Sequence, residues 1–162
     1  MIRVLFVCLG NICRSPMAHG VLRDLIRDRG LQGRVDVDSC GTSAYHNGEP
    51  PDANMTAVAA GHGVRIGDLV SRRLEDSDYY EFDLLVAMDG ANERDMRARS
   101  FPNSTAQIVR FTDFVDDAVF DGDGVPDPYY GGREGFEQVY RIVVDGCERV
   151  LARALELEAE RA

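Results

Sequence analysis

Strands alternating with helices along the chain, a short apolar run at its start and a long amphipathic segment at its end predict an α/β fold. Alternation of this kind builds a parallel sheet with helices on both faces. The 162 residues suit one compact domain spanning 1–162, because two independent cores would be cramped at that length.

The elements follow in order. Residues 2–7 are short, apolar and rich in β-branched or aromatic side chains, the composition of a buried strand. A loop covers 8–15. Ser15-Pro16 reads as a helix start, with Ser as N-cap and Pro at the first helical position. Ala18, Val21, Leu22, Leu25 and Ile26 then recur at helical spacing until Gly30. Residues 35–39 alternate as a second strand, 41–51 form a loop, and Asp52 caps a short helix to about His62. Residues 84–88 are another buried strand, 91–99 a helix and 107–111 a short strand. An acidic loop, with room for a short helix, covers 112–130. Phe136, Val139, Tyr140, Val143, Cys147, Val150, Leu151 and Ala154 mark one face of the closing helix.

Composition narrows the function. Apolar residues at 44% and charged residues at 28% describe an ordinary globular protein. The net charge of −10 makes a poor general partner for nucleic acid or an anionic membrane. Every basic side chain is Arg, a composition associated with GC-rich bacterial genomes. No apolar run is long enough to span a membrane, and the first apolar segment leads into Gly-Asn-Ile-Cys-Arg rather than a small-residue cleavage site. The expected address is the cytoplasm, and a monomer is the default. Cys8, Cys13, Cys40 and Cys147 do not form a disulfide framework. His19, His46 and His62 lack metal-ligand spacing with them and read as structural or exposed.

The chemistry concentrates in Cys8-Leu9-Gly10-Asn11-Ile12-Cys13-Arg14-Ser15-Pro16. This loop follows the first strand, where open parallel sheets bind ligands. It ends at a helix N-terminus, whose free N–H groups and dipole favour an anion. Gly10 and Asn11 tolerate the positive φ a tight anion cradle can require. A thiol at Cys8, facing those dipoles and Arg14, is expected to ionise below its free value of about 8.5. Arg14 offers a planar fork matching two phosphate oxygens. The expected reaction is attack of the Cys8 sulfur on phosphorus, with the loop N–H groups and Arg14 holding the equatorial oxygens. Ser15 is placed to donate to the sulfur and help it leave. No metal or cofactor is required. A nucleotide phosphate loop would end in Gly-Lys-Ser/Thr, and this chain has no Lys.

The same segment resembles the signature of the low-molecular-weight protein tyrosine phosphatases, and Asp127-Pro128-Tyr129-Tyr130-Gly131 resembles that family's second signature. The resemblance covers nearly the whole chain. It implies a three-layer sandwich with a four-stranded parallel sheet, the phosphotyrosine phosphatase I-like fold. It implies hydrolysis of phosphotyrosine and aryl phosphates through a cysteinyl-phosphate, with Cys8 as nucleophile, Arg14 as phosphate clamp and Asp127 as general acid. Asn11, Ser15 and Ser39 match positions that shape the loop by hydrogen bonds. Cys8 and Cys13 match a pair that forms a reversible disulfide under peroxide. The implied partners are a phosphotyrosine-containing protein and, as inhibitors, inorganic phosphate or other oxyanions. One departure stands out: Leu69 lies near a position where the family often has His, while Arg72 is kept.

Residue chemistry alone does not choose the acid, because Asp113, Asp116, Asp117, Asp121, Asp123 and Asp127 crowd one loop. Pro128 stiffens the backbone after Asp127. Asp123 is the alternative. A calcium loop beginning at Asp121 fails at Val125, which occupies a ligand position. Tyr129 and Tyr130 can wall a slot for an aryl phosphate, and Tyr45 matches a substrate-selecting position. Ile12 favours the flat face of phosphotyrosine, whereas arginine phosphatases resembling this family carry Thr there. Cys40 and Cys147 read as inert core residues. A thioredoxin-coupled arsenate reductase would need an extra cysteine pair, absent from 82–89. A phosphate-binding adaptor would be expected to lack Cys8 or Asp127.

Overall fold

A computed structural model describes residues 1–129 and 131–162. Among these, the strands β1 (Ile2–Cys8), β2 (Val35–Gly41), β3 (Leu84–Ala87) and β4 (Gln107–Arg110) form one parallel sheet in the order β2-β1-β3-β4. The helices are α1 (Arg14–Asp28), α2 (Ala53–Gly61), α3 (Asp78–Glu81), α4 (Gly90–Arg99) and α5 (Arg133–Glu160), with a 3₁₀ turn at Phe111–Phe114.

The layers follow from strand periodicity. Successive side chains of β1 point to opposite faces. Ile2, Val4 and Phe6 join Leu84 and Val86 in the larger core, where α1 and α5 supply Met17, Leu22, Val143 and Leu151. Leu5 and Val7 join Leu85 and Ala87 in the smaller core, beneath Tyr79, Phe82 and Met96. Both faces of the central strands are thus buried, which is why those strands read as continuous apolar runs. The chain leaves β1 toward β2 on one side and returns to β3 on the other. That reversal opens a crevice at the carboxyl end of β1, the usual ligand position in such sheets.

Most element assignments from sequence agree with the structure. Asp52 caps α2 by accepting from the N–H groups of Asn54 and Met55 at 2.8 and 3.0 Å. Two differences have a clear physical reason. The last strand stops at Arg110, and Phe111 turns into the 3₁₀ segment to bury its ring against Phe6. The one-turn helix α3 is absent from the sequence reading, because its four residues are too few to show a period.

Tyr79 of α3 ties the smaller core together. Its hydroxyl donates to the Met96 carbonyl at 2.6 Å, in the last turn of α4, where the Ser100 N–H turns to Arg97 instead. Burial pushes the phenol up to about 12, so it stays a donor. Tyr79→Phe is expected to cost about 1–2 kcal/mol in urea unfolding, because it orphans a buried carbonyl, while leaving the far-UV spectrum unchanged.

Candidate active site

The loop after β1 is fastened by backbone contact on its β2 side. Thr42 N–H donates to the Cys8 carbonyl and Ser43 N–H to the Leu9 carbonyl, both at 2.9 Å. The approach requires Gly41: a Cβ there would sit 2.7 Å from the Leu9 carbonyl oxygen and 3.1 Å from the Gly10 carbonyl carbon. Asn11 takes φ +57°, as expected of one residue in the cradle. Gly10 does not. Its lack of a side chain instead makes room for the His46 ring, which a Cβ would meet at 2.9 Å.

Ser15 is not the helix cap. α1 begins at Arg14 after Cys13, and among the described residues no side chain caps it. The Ser15 hydroxyl turns inward, 2.9 Å from Cys8 Sγ, and accepts from Asn11 Nδ2 at 2.8 Å. The Asn11 backbone N–H points at Cys8 Sγ from 3.3 Å. Asn11 Oδ1 accepts from the Arg72 backbone N–H at 3.1 Å. Leu69 packs against the core and offers no hydrogen bond from its side chain, so a main-chain donor three residues later supports Asn11. Arg72 is itself fixed, donating to Asp38 at 3.0 Å and to Asp78 at 2.9 Å. A polar ladder therefore runs from the sulfur through Ser15 and Asn11 to Arg72.

Arg14 is 3% exposed. Burial works against its charge, but Cys8, then Asp89 and Asp127, outweigh it and hold the guanidinium above its ordinary value. Nη1 donates to Asp89 Oδ2 at 2.6 Å and to the Val125 carbonyl at 2.9 Å. Nη2 lies 3.6 Å from Asp127 Oδ2. Asp89, which the sequence reading missed, sits just beyond β3 and caps α4 through Oδ1 while its other oxygen holds Arg14. An Asp between a buried strand and a helix was the available signal. Gly124 lets the acidic loop close over it, since a Cβ there would lie 2.8 Å from Asp89 Cβ.

A cleft of about 380 Å³ opens above Cys8. Of the residues singled out from sequence, Leu9, Ile12, Cys13, Arg14, Tyr45, Asp127 and Tyr129 line it, and so do Ser43 and His46, which the sequence did not single out. Asp123, the alternative acid, is outside this lining, and Tyr130 lies outside the described residues. Asp127 is 46% exposed and accepts from Tyr129 N–H at 3.1 Å. Tyr45, 84% exposed, stands at the mouth with its ring edge on His46. His46 also meets the Tyr129 ring at 5.9 Å and Glu49 at 2.6 Å, so it bridges two walls of the cleft rather than standing apart. Its carbonyl accepts from the Ser71 hydroxyl.

The remaining cysteines and histidines sort by burial. Desolvation pushes Cys13 up, with Asp52 and Cys8 adding to it and Arg14 opposing. Cys40 and Cys147 are buried thiols raised by the same desolvation. His62 stacks on Tyr140 at 3.8 Å and meets Glu137 at 2.8 Å. Ser39 engages His19 Nδ1 at 2.9 Å, not a loop side chain, and so supports α1 rather than the cradle directly. No group of three or more His, Cys, Asp or Glu among the described residues is arranged to hold a metal ion.

A parallel sheet that delivers a cysteine and a buried arginine to one anion-shaped loop defines a phosphoric monoester hydrolase of the α/β class. Residues 3–161 match the family model described as low molecular weight phosphotyrosine protein phosphatase. The low molecular weight protein-tyrosine-phosphatase YfkJ of Bacillus subtilis is 41% identical over 152 residues, covering 94% of this chain and 95% of that protein. A low molecular weight protein-tyrosine-phosphatase of Streptomyces coelicolor is 43% identical over 161 residues, 99% of this chain and 98% of that one. The crystal structure of a protein tyrosine phosphatase from Entamoeba histolytica, with Hepes in its active site, superposes with a TM-score of 0.90 at 36% identity, covering all of both chains. The chain belongs to the low molecular weight phosphotyrosine protein phosphatase family.

Burial lowers His19 from 6.5 to about 4, against Asp38, Asp68 and Asp36, which raise it, while Arg23 lowers it further. The folded state therefore holds His19 neutral where the unfolded chain begins to protonate it. Stability from this site is intact above pH 6.5 and is lost as pH falls toward 4. His19→Gln, which keeps a partner for Ser39, is expected to flatten the acid limb of the stability curve in that window, measured by urea unfolding across pH.

Proposed function

We propose that this enzyme hydrolyses phosphotyrosine in proteins, and aryl phosphates, through a cysteinyl-phosphate formed on Cys8. The observation that carries the proposal is the convergence of Cys8 Sγ, the Arg14 guanidinium and the Asp127 carboxyl on one cleft with apolar walls. In the first step the Cys8 thiolate attacks phosphorus, a sulfur–phosphorus bond forms and the phosphorus–oxygen ester bond breaks. Asp127 gives its proton to the departing phenoxide. Arg14 and the N–H groups of residues 9–15 hold the equatorial oxygens, supplying the positive potential a metal would otherwise provide. In the second step Asp127 takes a proton from water as that water attacks phosphorus. The sulfur–phosphorus bond then breaks, with the Ser15 hydroxyl donating to the leaving sulfur.

Leu9, Ile12 and Tyr129 flank the cleft with apolar surface, which suits the flat face of a phosphotyrosyl ring. Ser15 and Asn11 order the loop before substrate arrives. Cys13 serves as a resolving thiol. Peroxide oxidises the Cys8 thiolate to a sulfenic acid, and Cys13 displaces hydroxide from it to form a disulfide that thiols reduce again. The enzyme acts as a cytoplasmic monomer on phosphoprotein substrates, and inorganic phosphate and related oxyanions compete at the same loop. No helix among the described residues is long and apolar enough to cross a membrane.

Cys8→Ser is expected to abolish turnover of an aryl phosphate while phosphate binding, read by calorimetry, persists. Undiminished turnover would exclude the mechanism. Asp127→Ala is expected to lower kcat/KM by about 10²–10⁴-fold for phenyl phosphate and far less for a dinitrophenyl ester. Activity in the presence of a chelator, and a panel of phosphotyrosine, phosphoserine and phosphoarginine peptides, test metal independence and substrate class.

A further inference from the structure

Among the described residues, the carboxylate of Asp127 is held by one N–H and by Arg14 at 3.6 Å. The backbone ahead of it is held at several points. Arg110 Nη1 donates to the Asp123 carbonyl at 3.0 Å. Gly124 lies against Asp89. Val125 N–H donates to the Met88 carbonyl at 2.8 Å, and its own carbonyl accepts from Arg14. The contacts of Gly124 and Val125 belong to the phosphate site and the end of β3. Arg110 differs, because it is the last residue of β4 and lies outside the cleft lining.

Arg110 is also oriented. Its Nε donates to Glu93 Oε1 at 2.9 Å, and Glu93 Oε2 accepts from Arg97 at 2.9 Å. The Arg97 hydrogen bond, followed by that of Arg110, holds Glu93 below the usual carboxylate range, although partial burial opposes this. One edge of the Arg110 guanidinium is thus spent on α4, and the other is free to grip a main-chain carbonyl. A carbonyl gripped this way fixes the path of the chain, not the identity of a side chain.

We propose that Arg110, oriented by Glu93, is a positioning residue for the general acid: it fixes the stem of the acidic loop at Asp123 so that Asp127 meets the leaving oxygen. The proposal rests on the reading of Asp127 as the acid. Reaching the leaving oxygen needs placement within hydrogen-bond distance, so a stem released at Asp123 weakens proton transfer without disturbing the phosphate cradle.

The test is kcat/KM across aryl phosphates of rising leaving-group pKa, with the inhibition constant of inorganic phosphate and the melting temperature of each variant. Arg110→Ala is expected to lower kcat/KM about tenfold for phenyl phosphate and less than about twofold for a dinitrophenyl ester. Phosphate inhibition is expected to stay unchanged. Arg110→Lys is expected to recover part of the loss. Glu93→Gln, which keeps Arg110 but loosens it, is expected to show the same selectivity at smaller size, and it serves where Arg110→Ala does not fold. In an Asp127→Asn background, Arg110→Ala is expected to add nothing. A loss uniform across the series, weakened phosphate inhibition, or an additive loss in the double variant would overturn the assignment. Selectivity in Asp127→Asn without selectivity in the Arg110 variants would overturn this inference alone. An Asp127→Asn profile that ignores the leaving group would overturn the acid reading itself.

Discussion

The site depends on keeping one guanidinium charged where water barely reaches it. Removing Arg14 from solvent is costly unless the charge is paired and its donors are occupied. Asp89 supplies the counter-charge, Val125 a carbonyl and Asp127 a more distant second carboxylate. These partners come from the end of β3 and from the acidic loop, so the pairing determines how those segments sit over β1. In a protein of net charge −10, this local arrangement is what lets an anion approach at all.

A second constraint is backbone proximity. The loop after β1 cannot close against β2 unless position 41 lacks a Cβ, and it cannot hold its shape unless Asn11 accepts a left-handed conformation. The Asn11 side chain then fulfils two roles, donating to Ser15 and accepting from Arg72. Arg72 in turn is pinned between Asp38 of β2 and Asp78 of α3. The loop after β1 is therefore braced by elements from both core layers.

Local patterns in the chain revealed the sheet, the loop and the closing helix. Each of those depends on neighbours in sequence: the apolar run at 2–7, the Cys-to-Arg spacing, the stripe from Phe136 to Ala154. What escaped notice depends on contacts between distant segments. Nothing near Arg14 points to Asp89, one carboxylate among 28 acidic residues. His46 looked like a loop histidine until folding set it between Tyr45 and Tyr129. Ser15 followed by Pro16 carried a capping signature, but the sulfur and Asn11 compete for the same hydroxyl and win it. Local chemistry and the demands of the site disagree there, and the site prevails.

Among the described residues, α1 starts after Cys13 with no side chain on its first amides. A helix without a cap gives up on the order of 1 kcal/mol, and an oxyanion seated in the loop would take up those donors. Occupancy and folding are then linked by mass action: whatever fills the cradle, substrate or product, also tightens the protein around it. On the proposed reading, the enzyme's resistance to unfolding rises with the phosphate concentration of its surroundings.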